Sequence, residues 1–171
     1  MQTLDGKVAV KRQGYWPIGS RTDQQVLTEL RAHADCLIHG KNLVKEFGEI
    51  TKKNLQNSSF KRLRKKLGKN PELSYLIGTH NLKKLTNDLR KKEYKHVLVE
   101  GGPTLLGAFL KENLMDEIFL TIAPKIYGSR IGSTLTLVEG ILFPKKATKN
   151  LTLISVKKIK DEVFLRYRVE N

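Results

Sequence analysis

The stretch His96-Val97-Leu98-Val99-Glu100-Gly101-Gly102-Pro103-Thr104-Leu105-Leu106 decides the architecture, because a short apolar run ends in a carboxylate and two glycines and then opens a helix. Val-Leu-Val has the character of a buried strand. Two adjacent glycines let the backbone turn sharply and approach a ligand with no Cβ in the way. Pro103 suits a first helical position, where no N–H is needed. The first-turn N–H groups and the positive end of the helix dipole then favour a phosphate by about 0.3 to 1 kcal/mol when exposed, more when partly buried. The spacing matches neither GxGxxG nor GxxxxGK[ST]. A glycine turn that serves packing alone is the competing reading, and the motif by itself does not choose between them.

Working outward, Leu82, Leu85 and Leu89 mark an amphipathic helix ending near Glu93, and Leu73 to Ile77 has strand character. Cys36-Leu37-Ile38-His39 before Gly40 is a short buried strand with a loop entry after it. Thr22-Asp23-Gln24-Gln25 has the T-x-x-Q form of a capping box, and Val26, Leu27, Leu30 and Ala34 lie on one face of a helix from about Asp23 to Ala34. Val8-Ala9-Val10 is a short strand, followed by an irregular loop with the only tryptophan, Trp16. Downstream come a helix from about Thr104 to Glu112 and a strand from Glu117 to Ala123. Two alternating segments follow, Leu151 to Val156 and Val163 to Val169, joined by Lys160-Asp161-Glu162 as a terminal hairpin. Strands alternating with helices predict parallel neighbours and crossover helices. The predicted fold class is a mixed, mostly parallel α/β sheet flanked by helices, with a C-terminal antiparallel hairpin.

With 171 residues and 39% hydrophobic composition the chain suits one domain, residues 1–171. No apolar run approaches the roughly 18 residues of a membrane helix, and Met1-Gln2-Thr3-Leu4-Asp5 carries no basic and apolar leader, so a cytoplasmic protein is expected. The single cysteine, Cys36, excludes an intramolecular disulfide and a multi-cysteine zinc cage, and its apolar neighbours mark it as a packing thiol rather than a nucleophile. No metal is expected.

The net charge of +15 points to nucleic acid, an acidic surface or an anionic substrate. Its excess is densest in residues 41–69, where ten lysines and arginines face only Glu46 and Glu49. Phe47 and Phe60 are the only aromatics there, fewer than the interleaved set of a single-strand binder. A solvated basic surface is therefore preferred to a nucleic-acid site. Residues 41–70 are the least regular part, with Phe60, Leu63 and Leu67 spaced for a short helix and Pro71 closing it; an adaptable loop region is expected.

Four blocks occur in one order: Thr3-Leu4-Asp5-Gly6-Lys7-Val8-Ala9, Glu29-Leu30-Arg31-Ala32-His33-Ala34-Asp35, Val99-Glu100-Gly101-Gly102-Pro103-Thr104-Leu105, and Leu114-Met115-Asp116-Glu117-Ile118 through Ile122-Ala123-Pro124-Lys125-Ile126-Tyr127-Gly128. Together they resemble the reductase domain of riboflavin biosynthesis, a family with a dihydrofolate-reductase-like fold, over nearly all the chain except the basic middle. The resemblance implies an enzyme that uses NADPH to reduce the ribosyl group of a phosphorylated ribosylamino-pyrimidine to ribityl, and a homodimer. It implies that Gly101, Gly102, Pro103, Thr104 and Leu105 cradle the NADPH phosphates, that Trp16 lies against the cofactor, and that Thr3 lines the reaction centre on the cofactor side. Arg31 falls where the family places a substrate-binding arginine and Glu100 reaches the substrate. Asp5 and Glu100 are the candidates to orient or protonate the sugar. A reductase of a pteridine-like ring is the alternative enzyme, and a basic nucleic-acid binder on a reused scaffold the alternative class.

Three departures from the family pattern stand out. Almost nothing remains of the strand that precedes the Thr3 block, so either the start is expected upstream of Met1 or another segment is expected to fill its place. Where the family has Gly-x-x-Thr and then an Asp-Pro loop, this chain has Gly40-Lys41-Asn42-Leu43 and basic residues. The H-x-E and P-C-x-x-C ligands of the zinc deaminase often fused to this domain do not occur.

Overall fold

The computed structural model describes residues 1–11, 17–79 and 81–170. By contact the chain divides into two compact units, residues 25–105 and residues 1–24 with 106–171.

In the first unit the strands β3 (Cys36–His39), β4 (Ser74–Ile77) and β5 (Val97–Val99) form a parallel sheet in the order β4-β3-β5. Parallel pairing follows from the crossover helices between them. Every residue of the central strand β3 is buried, as the apolar run Cys36-Leu37-Ile38 predicts, His39 included. Asp35 pins the entry to the sheet: its Oδ2 accepts the N–H groups of Lys95 and His96, both at 2.9 Å, and its Oδ1 accepts Lys69 Nζ at 2.8 Å. Helix α1 (Arg21–His33) crosses the division between the units. Ala32, Ala34, Leu37, Leu55, Phe60 and Leu73 make the core of the first unit. Cys36 is fully buried, and burial pushes its thiol pKa up.

Residues 41–70 are not a loop. They form two helices, α2 (Lys41–Gln56) and α3 (Ser58–Lys66), broken at Asn57, whose extended backbone ends one helix while its side chain accepts Ser59 N–H at 2.8 Å to start the next. The inward face of α2 is Gly48, Thr51 and Leu55, small and partly polar, so the apolar period is hidden. Nor is Arg64 part of a solvated basic face. It is 1% exposed. Its Nη1 donates to the carbonyls of Arg31, Ala32 and Ala34 at 3.1, 3.0 and 2.7 Å, and its Nε to Asn70 O at 2.6 Å. The guanidinium thus satisfies carbonyls left over at the C-terminal end of α1 and places positive charge where the dipole favours it. The fourth helix, α4 (Leu82–Lys91), buries Leu82, Leu85 and Leu89 as its spacing predicts.

In the second unit a four-stranded sheet runs in the order β1-β6-β9-β8. Strand β1 (Gln2–Thr3) pairs in parallel with β6 (Glu117–Ala123), which pairs antiparallel with β9 (Glu162–Val169). The outermost strand β8 (Leu151–Ile159) forms the expected terminal hairpin with β9. Strand β2 (Ala9–Val10) pairs with β7 (Thr134–Leu135). Helix α5 (Pro103–Lys111) starts where Pro103 predicts and crosses the division. The cap of α1 differs from expectation: Ser20, not Thr22, is the capping residue. Its Oγ accepts Asp23 N–H at 3.0 Å and donates to Glu162 at 2.6 Å, so the helix starts at Arg21 and Thr22 lies inside the first turn. Among the described residues no helix is long and apolar enough to cross a membrane.

Candidate active site

Each strand of the parallel sheet runs out into a glycine: β3 into Gly40, β4 into Gly78 and β5, after Glu100, into Gly101. The carboxyl ends of parallel strands are where α/β sheets bind ligands, and here the glycines let the three exits crowd together. Gly40 N–H donates to Gly101 O at 2.5 Å. A Cβ on Gly40 would lie 2.9 Å from Gly102 N and 3.1 Å from Gly101 O, both backbone atoms that cannot swing away. Gly78 N–H donates to His39 O at 2.7 Å, and a Cβ on Gly78 would meet the Leu105 side chain at 2.7 Å.

The two glycines of the turn do different things. Gly101 has φ of 99°, which L side chains avoid, so its lack of a Cβ is demanded by the backbone. The peptide bond between Gly101 and Gly102 is cis. A Cβ on Gly102, by contrast, would meet nothing within 4 Å. Protein packing therefore gives no reason for glycine at 102, and the open space lies at the start of α5. Pro103 and Thr104 form the first turn of that helix. Leu105 N–H is already bonded to Gly102 O at 2.9 Å, and its side chain fills the space above Gly78.

Glu100 ends β5 and is gripped from two sides. Arg31, in the last turn of α1, donates Nε to Oε1 and Nη2 to Oε2, both at 2.6 Å. This is the two-pronged geometry that only arginine offers a carboxylate. From the end of β3, His39 Nε2 lies 2.7 Å from the same Oε2, and His39 Nδ1 lies 3.0 Å from the Tyr75 hydroxyl. Burial would push the Glu100 carboxyl up, but the bonds from Arg31 and His39 outweigh it and hold the group below the usual carboxylate range. At neutral pH Glu100 is an acceptor with no proton to give.

A carboxyl lowered on folding stabilises the fold fully above its unfolded value of about 4.3, and the contribution is lost as pH falls through the lower folded value. The urea midpoint should therefore fall between about pH 5 and pH 3 more steeply in the native chain than in Glu100→Gln, which cannot titrate. Equal slopes would contradict the assignment.

Thr3 and Asp5 belong to the other unit, in a tight turn closed by Gly6 N–H to Thr3 O at 3.0 Å. Thr3 is fully buried; its hydroxyl donates to Asp5 Oδ1 at 2.5 Å and accepts Lys7 N–H at 2.9 Å. Asp5 also accepts Tyr127 N–H at 3.2 Å and Gly128 N–H at 2.8 Å. The Thr3 hydroxyl holds Asp5 below its ordinary pKa; desolvation opposes this, and the two amides add to the lowering. Asp5 is thus a charged acceptor that ties the first block to the Tyr127-Gly128 turn. Trp16 lies outside the described residues. The structure brings together Arg31 and Glu100, and adds Gly40, His39 and Tyr75, which sequence reasoning passed over. A histidine closing an otherwise apolar strand was the available signal.

With this geometry in view, residues 50–165 match the RibD C-terminal domain family. The chain belongs to that family. The resemblance to the reductase domain of riboflavin biosynthesis is thereby borne out. Among RibD relatives, the riboflavin biosynthesis protein RibD of Aquifex aeolicus is 39% identical over 75 residues, 42% of this chain and 21% of that protein. The aligned part is thus about a fifth of the relative. A pyrimidine reductase-like protein from Corynebacterium diphtheriae has a similar fold, with a TM-score of 0.75, 19% identity, and coverage of 99% of this chain and 89% of that one. The diaminohydroxyphosphoribosylaminopyrimidine deaminase/5-amino-6-(5-phosphoribosylamino)uracil reductase of Thermotoga maritima superposes with a TM-score of 0.68 at 17% identity, over 98% of this chain and 54% of that one. At these identities the structural likeness carries the fold: mixed α/β, with parallel and antiparallel sheets flanked by helices.

Proposed function

We propose that residues 1–171 act as a reductase domain of riboflavin biosynthesis, using NADPH to reduce the ribosyl group of a phosphorylated ribosylamino-pyrimidine to ribityl. The observation that carries this reading is the Glu100-Gly101-Gly102 turn: a charged carboxylate at the end of β5, then a glycine whose missing Cβ opens onto space at the start of α5. Bare backbone beside a helix N-terminus fits the phosphates of a dinucleotide, so Gly101, Gly102, Pro103 and Thr104 would hold NADPH, with Leu105 supporting them from behind. When bound, NADPH supplies the hydride. The protein's share is to hold donor and acceptor carbons in line and to exclude water.

Glu100 orients the sugar as a hydrogen-bond acceptor. Arg31 fixes Glu100 with Nε and Nη2, and the same guanidinium takes the phosphate end of the substrate. Asp5 orders its own turn, bonded to the Thr3 hydroxyl and to the amides of Tyr127 and Gly128. Because both carboxylates are held ionised, each orients and neither protonates. The reading also carries a homodimer; β8 is a nine-residue edge strand, exposed at Leu151, Leu153 and Val156, and such an edge is ordinarily covered.

The test is steady-state turnover of 5-amino-6-(5-phosphoribosylamino)uracil by the purified chain with each nicotinamide cofactor. NADPH should be preferred to NADH, since a 2'-phosphate suits a chain of net charge +15. Equal turnover with both would count against the cofactor assignment. Glu100→Gln should lower turnover at least tenfold, the loss of one charged hydrogen bond, while leaving NADPH affinity nearly intact; the reverse pattern would place Glu100 on the cofactor side.

A further inference from the structure

His39 is 1% exposed at the end of a strand where an aliphatic side chain would pack with no polar group to satisfy. A buried imidazole is tolerated only when its nitrogens are bonded. Both are: Nε2 to Glu100 Oε2 at 2.7 Å and Nδ1 to Tyr75 Oη at 3.0 Å, with the two rings edge to face at 5.2 Å and 87°. The chemistry of the partners orients the chain of bonds. Ionised Glu100 can only accept, so Nε2 carries the proton. With one proton on the ring, at Nε2, the Nδ1 lone pair accepts a hydrogen bond from the Tyr75 hydroxyl.

A carboxylate offers about four acceptor sites, two on each oxygen. Arg31 Nη2 and His39 Nε2 take both on Oε2, and Arg31 Nε takes one on Oε1. Among the described residues one site remains, on Oε1, and the Glu100 side chain is 9% exposed.

We infer that His39 and Tyr75 are positioning residues: acting through Glu100, they leave its Oε1 as the single acceptor site offered to a hydroxyl or amino donor of the substrate. The inference rests on the reading that Glu100 contacts substrate, and names the class of substrate group it takes. Without His39 the carboxylate is held on one side only, and Oε2 is free to accept a second donor or to turn. Several charged groups face this chain of bonds. Arg31 stands on α1. Glu49 and Lys52, paired at 2.8 Å on α2, act on Tyr75 electrostatically.

The test uses the full chain and four forms: native, His39→Leu, His39→Gln and Tyr75→Phe. The first readout is the titration midpoint of the Glu100 carboxyl, followed by carbon-13 NMR with labelled glutamate; the second is KM for the pyrimidine and for NADPH. His39→Leu should raise the Glu100 midpoint by about one pH unit, a tenfold change in its proton equilibrium, and raise KM for the pyrimidine while leaving KM for NADPH in place. His39→Gln, whose amide N–H replaces Nε2–H, should restore both. Tyr75→Phe, which removes the hydroxyl bonded to Nδ1, should move the midpoint in the same direction by less. An unmoved Glu100 midpoint in folded His39→Leu and Tyr75→Phe overturns the inference, as does a rise in both KM values together. If His39→Leu does not fold, Tyr75→Phe against native decides, with an unmoved midpoint again overturning it. If the native chain turns over no pyrimidine the functional reading fails, and the titration still judges the positioning.

Discussion

Arg64→Ala should lower the thermal midpoint by about 6 to 12 °C, the largest stability loss expected from any single charged residue among those described. The substitution removes one guanidinium and leaves the carbonyls of Ala32, Ala34 and Asn70 without this donor in a buried setting, while that of Arg31 keeps Ala34 N–H at 3.3 Å. Each unsatisfied buried group costs about 1 to 3 kcal/mol. Discounting for water that reaches the gap, a total of about 3 kcal/mol corresponds to that fall in a domain of this size, at about 2 to 4 °C per kcal/mol. Lysine should recover little, because a single ammonium cannot reach carbonyls on several sides as a planar fork does. Melting curves of native, Arg64→Ala and Arg64→Lys check this; a midpoint within about 2 °C of native for Arg64→Ala would return Arg64 to the solvated surface.

The second large effect concerns the glycine turn, where three substitutions should separate. Gly102→Val should fold with an unchanged melting temperature, because the space beyond its Cα is open, and should weaken NADPH binding by about ten- to a hundredfold, the equivalent of one lost hydrogen bond to a charged group. Gly40→Ala drives a Cβ against the backbone of Gly101 and Gly102 and should lower both stability and affinity. Gly101→Ala sets a side chain at φ of 99° and should be strained whatever is bound. Calorimetric titration with NADPH beside thermal melts distinguishes them. Unchanged NADPH affinity in folded Gly102→Val would move the cofactor site elsewhere.

Much of the fold was legible because its strands are short, apolar and bounded by glycine. β3, β4, β5 and the helices α4 and α5 fall where period and punctuation place them. The basic middle was not legible. Helix α2 buries glycine and threonine with a single leucine and starts at Gly40 without a side-chain cap, so neither period nor cap announces it. In α3 the most buried polar group is an arginine among surface lysines, and one sequence cannot tell a lysine that faces water from an arginine that faces carbonyls.

At the site, the glycine turn was legible from its strand, carboxylate, glycine and helix order, and the roles of Arg31 and Glu100 came from the resemblance. The bidentate pairing of those two residues needs 69 positions of chain to fold back, which no local pattern encodes. His39 and Tyr75 were invisible for the same reason: each is an ordinary strand residue until the parallel register sets β3 beside β4.

The central claim is hydride transfer to the sugar, and one measurement meets it directly. The purified chain is given NADPH deuterated at the transferable position together with 5-amino-6-(5-phosphoribosylamino)uracil, and the product is analysed by mass spectrometry and NMR. A ribityl product carrying one deuterium on the carbon attached to nitrogen, formed with matching loss of NADPH, is the predicted result. Unreacted pyrimidine, with the native chain folded and NADPH bound, would contradict it.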